Sequence, residues 1–170
     1  MIPLIVTVNV LGWPVIHVVL AWLFIRLPDE CFAEDSWLTR QRDIERSGLH
    51  YRTTFAVQRM KRLLPDGAPW LGGRSKTKIK GRNSAELNTF MLETRRAEVA
   101  HWCMLLCTPV FYFWNPRWAC VVMTVYGIAA NIPCILAQRA NRIKIMRILQ
   151  DSSFRNDRIP GRRQVGGKRI

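Results

Sequence analysis

Three long apolar runs set the pattern of this chain. Pro3 to Ile25 holds no Lys, Arg, Asp or Glu, Val99 to Trp114 is apolar over 16 residues apart from His101 and Thr108, and Trp118 to Ala137 is uncharged over 20. At 1.5 Å per residue, the first and third cover the roughly 30 Å hydrocarbon core of a bilayer. The second falls short of the usual ~20 residues and takes its remaining length from the charged stretch before it. Asn115-Pro116-Arg117 is turn chemistry, so runs two and three predict a helical hairpin. No basic n-region precedes the first run and no A-x-A-like site follows it, so it reads as a retained transmembrane helix, kinked at Pro14. Trp102, Trp114 and Trp118 lie near the run ends, where amphipathic rings favour the interface.

The predicted fold is therefore all-α and integral to a membrane. It has about three transmembrane helices (3–25, 99–114 and 118–137) and a cytosolic amphipathic helical segment within 26–98. Residues 1–150 form a single membrane domain, and 151–170, rich in Arg and Gly, read as a basic disordered tail.

Charge then orients the spans. The first 25 residues carry no Lys or Arg, residues 26–98 carry 15, the turn carries one, and residues 138–170 carry ten. Basic loops stay cytoplasmic, which places the N-terminus outside and the C-terminus in the cytoplasm of a multi-pass cell-membrane protein. The net charge of +14 finds its partner in anionic membrane lipids. It does not call for nucleic acid, because the basic residues flank membrane spans and no aromatic-basic reading motif occurs.

Within the inner segment, YRTTFAVQRMKRLL (51–64) spaces Tyr51, Phe55, Met60, Leu63 and Leu64 as a helix lying in the headgroup plane would, or as one packed on a neighbour. Residues 68–82 contain Gly72, Gly73, Gly81, Arg74, Lys76, Lys78, Lys80 and Arg82. This basic loop suits phosphates, either of a nucleotide-bearing substrate or of lipids. Asn83 with Glu86 resembles a capping box, so a helix starting near Ser84 is expected to run into the second span, kinked at Pro109.

That helix carries the candidate chemistry. ETRRAEVAHW (93–102) places Glu93, Ala97 and His101 within about 80° of one another, and Glu98 one turn before His101. Arg95 and Trp102 point to the opposite side. The third span answers with a polar stripe of Asn131, Gln138, Asn141 and Arg142, near Pro133. In an antiparallel hairpin the two sets lie at one height, and polar groups at membrane depth are costly and seldom idle. They predict a pocket open to the cytosol. The competing reading of each residue is structural: interfacial His101, snorkelling Arg95, Arg96, Arg139 and Arg142, and interhelical hydrogen bonding by Asn131. His17 and His50 read as structural and surface residues.

Five cysteines without a CxxC pair give no zinc or redox signature. Glu98-x-x-His101 is half of a di-iron motif, which needs the pair twice with further Glu ligands; no metal and no cofactor are expected.

RLPDECF (26–32), LPDG (64–67), FMLETRRAEVAHW (90–102) and NIPCILAQRANR (131–142) resemble the small integral-membrane glycosyl-4,4'-diaponeurosporenoate acyltransferases, assigned the final step of staphyloxanthin-type carotenoid synthesis. The similarity covers roughly residues 26–149. It implies transfer of a fatty acyl chain onto the sugar of a glycosylated carotenoid acid. Combined with the residues, it gives an expected mechanism. His101 is the general base, oriented by Glu98 or Glu93. Asn131, Gln138, Arg139 or Asn141 stabilise the oxyanion, and Arg96, Arg142 and the basic loop hold the phosphates of acyl-CoA as co-substrate. No Ser or Cys has a nucleophile motif, which favours direct transfer. The alternatives are a non-catalytic membrane partner of a lipid or pigment biosynthetic complex, and another small membrane transferase such as a methyltransferase. Three spans make a small bundle that a homodimer would enlarge, and no residue argues for it.

Overall fold

The computed structural model describes residues 2–45 and 84–157. Among these residues the chain forms helices only, in three long segments. They are α1 (Ile2–Arg26), α2 (Ser84–Leu106) and α3 (Arg117–Asp157), joined by short 3-10 turns at Asp29–Phe32, Asp43–Glu45 and Thr108–Phe113. The stretch 51–64, the basic segment 68–82 and Asn83 lie outside the described residues, and α2 begins at Ser84 as expected.

α1 is apolar on every side, with Pro14 inside and Arg26 in its last turn. Leu4, Val10, Leu11, Val15 and Val18 face outward. On α3, Trp118, Val121, Val122 and Val125 do the same. A soluble monomer rarely shows so large an apolar surface; hydrocarbon is its natural solvent. Arg26 sets its guanidinium over the Trp22 ring, 3.8 Å from the centroid, an anchor suited to a membrane boundary.

Two helices, not the expected three, are long and apolar enough to cross a membrane: Pro3–Arg26 and Arg117–Asp151. The second apolar run is divided, because α2 stops at Leu106 and a 3-10 turn takes over from Thr108 to Phe113. Pro109 is the cause. It has no N–H for the Leu105 carbonyl, and the Thr108 hydroxyl donates to that oxygen instead, at 2.6 Å. Pro109 thus ends the α-helix where a kink was expected. α3 contains Pro133 without interruption and continues past Gln150, where the tail was placed, to Asp157.

α1, α3 and the 3-10 turn after α2 meet around Trp13. Its ring stacks on Phe111 (centroids 5.0 Å apart) and lies 5.5 Å from Tyr126 and 5.6 Å from His17. Gly127 permits this approach, since a Cβ there would fall 2.8 Å from both the Trp13 ring and the Thr108 hydroxyl. Gly12 likewise admits the Phe111 ring. Small residues at helix contacts let backbones close up where no hydrophobic force draws helices together in lipid. One turn towards the N-terminus, Asn9 and Asn115 exchange side-chain hydrogen bonds of 2.8 Å, and the Trp114 indole N–H donates to Asn9 Oδ1 at 2.9 Å. This amide clip fastens the α2–α3 turn to α1 near its N-terminal end.

Gly127→Val is expected to destabilise the protein by about 1–3 kcal/mol through overpacking against Trp13. Thermal unfolding in detergent would show this as a lowered midpoint; an unchanged midpoint would refute the contact.

Candidate functional site

The charged stretch of α2 is its most buried part. Glu93, Thr94, Arg95, Arg96 and Glu98 are buried, whereas Leu106 at the end of the apolar run is 76% exposed. Ionised side chains are rarely buried unless paired, and each of these is paired. The partners come from α2 itself, from α3 and from the segment 27–45, which the 3-10 turn at Asp29–Phe32 and a reciprocal Ser36–Thr39 turn fold back against α2 and α3.

Two groups of ion pairs result. In the first, Arg96 bridges Glu93 (2.6 Å) and Asp29 and donates to the Leu27 carbonyl. Its neighbour Arg95 binds Asp35 at 2.7 Å and the Ala33 carbonyl at 2.9 Å. In the second, Glu98 is 0% exposed and receives two arginines from α3. Arg139 Nε donates to its Oε1 and Arg142 Nη2 to its Oε2, both at 2.7 Å. Arg139 also binds Glu45 at 2.8 Å and the Leu38 carbonyl at 2.6 Å, and Arg142 donates to the Thr39 carbonyl at 2.5 Å. One carboxylate therefore joins α2, α3 and the 27–45 segment.

A turn further along α2, His101 Nδ1 lies 3.0 Å from Asn131 Oδ1. Asn131 is fully buried, and its Nδ2 donates to the Gly127 carbonyl at 2.9 Å. That second bond fixes which way the amide points: its oxygen faces the ring and can only accept. The imidazole therefore carries its proton on Nδ1, and the lone pair of the neutral ring is on Nε2. The same bond also shows how Asn131 acts on the ring, holding its plane and tautomer.

The expected convergence of His101 with the α3 stripe is thus present at Asn131. The expected orientation of His101 by Glu98 takes another form, because both Glu98 oxygens hold arginines and Asn131 Oδ1 faces the ring nitrogen. Glu93 is engaged by Arg96. Arg96, Arg139 and Arg142, expected to meet substrate, are bound to carboxylates, and an anion would have to displace one of those partners. Gln138 has its Oε1 buried with no hydrogen-bond partner. Asn141 is half-buried on α3.

The sequence reading missed Asp29, Asp35, Thr39 and Glu45. A signal for the acids was available: six of the chain's twelve Asp and Glu fall between Asp29 and Glu45, in a segment otherwise read as simply cytosolic. So local a concentration in a strongly basic chain marks a counter-charge.

Removing one partner of a buried ion pair leaves the other charge uncompensated, at a cost of about 3–5 kcal/mol. Glu98→Gln is therefore expected to destabilise by that amount, read as a loss of cooperative unfolding or a sharply lowered midpoint in detergent. Stability equal to that of the parent would show that the guanidiniums do not depend on Glu98.

The family model for glycosyl-4,4'-diaponeurosporenoate acyltransferase matches residues 34–151. The glycosyl-4,4'-diaponeurosporenoate acyltransferase of Staphylococcus aureus strain bovine RF122 / ET3-1 is 28% identical over 148 residues, covering 86% of this chain and 88% of its own. The protein of the same name from strain Newman is 29% identical over 150 residues, covering 85% and 90%. No solved structure matches. The matched region holds both groups of ion pairs except Asp29, together with the His101–Asn131 pair. The chain is an acyltransferase and belongs to the glycosyl-4,4'-diaponeurosporenoate acyltransferase family.

Proposed function

We propose that this protein moves a fatty acyl group from acyl-CoA onto a sugar hydroxyl of a glycosylated carotenoid acid or a related glycolipid, with His101 as general base. The observation that carries the reading is the Asn131 bond to His101 Nδ1, which leaves Nε2 as the basic nitrogen of the neutral ring. A sugar hydroxyl is a poor nucleophile at neutral pH and needs such a base.

The hydroxyl oxygen attacks the thioester carbon, and its proton passes to His101 Nε2. A carbon–oxygen bond forms and the carbonyl oxygen takes the negative charge. The second amide hydrogen of Asn131 is the oxyanion donor beside the ring. Collapse of the intermediate breaks the carbon–sulfur bond, and the leaving thiolate takes the proton from Nε2. The products are the ester and free CoA, and no acyl-enzyme forms. Arg96, Arg139 and Arg142 keep the frame rigid, so the CoA phosphates are assigned to the cations of 68–82.

In the membrane, the N-terminus lies outside and the C-terminus in the cytoplasm. The chain crosses three times, the second crossing combining the end of α2 with the 3-10 turn. The amide clip supports this reading, because Asn9 lies 16 residues, about 24 Å of helix, from Ile25. The turn bound to it is thus most of a bilayer away from the inner boundary.

The test is reconstitution in lipid nanodiscs with labelled palmitoyl-CoA and a glycosylated carotenoid acid. Ester formation is expected with the parent protein. His101→Ala should lose about 100- to 10,000-fold in kcat while still binding acceptor. Asn131→Leu should lose less, also in kcat. Transfer at the parental rate by His101→Ala would remove His101 from the mechanism.

A further inference from the structure

We propose that Gln138 and Arg142 form a subsite for two neighbouring hydroxyls, the vicinal diol of a sugar ring. The inference rests on the reading above that the acceptor is glycosylated.

The argument begins with two buried groups whose hydrogen bonds are unmade. Arg142 is 2% exposed, and its Nη2 is taken by Glu98 and the Thr39 carbonyl. Its Nη1, with two hydrogens, is buried and has no hydrogen-bond partner. Gln138 lies four residues earlier, on the same face of α3 one turn away. Its Oε1 is also buried and without a partner. Native chains seldom leave such groups unmet, because each then bears its full desolvation penalty.

The two groups differ in what they need. Arg142 has hydrogens to give, and Gln138 Oε1 has lone pairs to fill. A carboxylate or fully ionised phosphate answers the first and not the second; an ammonium group does the reverse. Nor does the guanidinium require an anion, since Glu98 already balances its charge. Hydroxyls accept and donate, and the two residues that carry these groups stand about 6 Å apart along the helix. Two adjacent hydroxyls on one ring suit that separation better than a single small molecule.

The position agrees with the chemistry. Gln138 stands seven residues from Asn131, two turns on and nearly in line, about 10 Å along the axis. A ring held by its diol at Gln138 and Arg142 turns its remaining hydroxyls towards His101. The subsite would then select the acceptor and fix which oxygen reaches the base.

The test uses the full chain in lipid nanodiscs, with an alkyl glycoside and its ring-deoxy analogues as probes. Gln138→Met keeps the volume and removes the acceptor atom, and it leaves the Glu98 ion pairs in place. The parent should bind the glycoside about tenfold more tightly than the deoxy analogue, the worth of one well-made hydrogen bond. Gln138→Met should bind the two alike. With a glycosylated acceptor its KM should rise about tenfold, while KM for acyl-CoA and the unfolding midpoint stay as in the parent. Parental affinity and preference in Gln138→Met would overturn the subsite, whether or not acyl transfer occurs; a buried water would then satisfy the two groups. Gln138-dependent glycoside binding in a protein that transfers no acyl group would uphold the subsite and refute the transfer reaction instead.

Discussion

The architecture depends on one carboxylate. Glu98 is fully buried on α2 and bound by two guanidiniums from α3, each of which reaches on to backbone carbonyls of the 27–45 segment. Without the arginines the carboxylate would be an intolerable buried charge, and without the carboxylate Arg142 would lose its counter-charge and Arg139 would keep only Glu45. The three elements therefore hold one another in place through an electrostatic requirement. Apolar packing alone would be a weak guide at the membrane boundary, since lipid tails compete equally for apolar surface.

This arrangement bears directly on the chemistry. His101 lies three residues from Glu98 on the same helix, so its position relative to α3 is set by the ion pairs on one side and by Trp13 against Gly127 on the other. Between these two fixed contacts, Asn131 holds the ring by a hydrogen bond whose direction is determined by a backbone carbonyl. In the proposed reaction, a base held from several sides does not have to be reoriented, and preorganisation of that kind lowers the barrier to acyl transfer.

Much of this was legible in the sequence, for identifiable reasons. The first and third apolar runs appeared as α1 and α3 because length and absence of charge are strong signals in a chain that meets lipid. The start of α2 and the meeting of His101 with Asn131 followed from helical spacing and an antiparallel turn. Other features were hidden because they depend on long-range partners. Nothing local distinguishes an arginine that meets phosphate from one that meets a distant carboxylate, so the ion pairs of Arg96, Arg139 and Arg142 were not foreseen. Pro109 announced a break in the helix, but only the Thr108 hydroxyl, by taking over the Leu105 carbonyl, determined that the chain would continue as a 3-10 turn. Asn9 was overlooked because a single amide scarcely alters the hydropathy of a run; its partner lies 106 residues away.

The order in which Glu45, Glu98, Arg139 and Arg142 follow one another along the chain has a consequence for how the molecule is made. During synthesis Glu45 and Glu98 emerge before Arg139 and Arg142. Until those last two cations leave the ribosome, α2 carries a carboxylate whose partners in the folded protein have not yet been made. The hairpin therefore cannot settle as soon as its first helix is complete; it waits for its second, and the finished bundle closes from the C-terminal side.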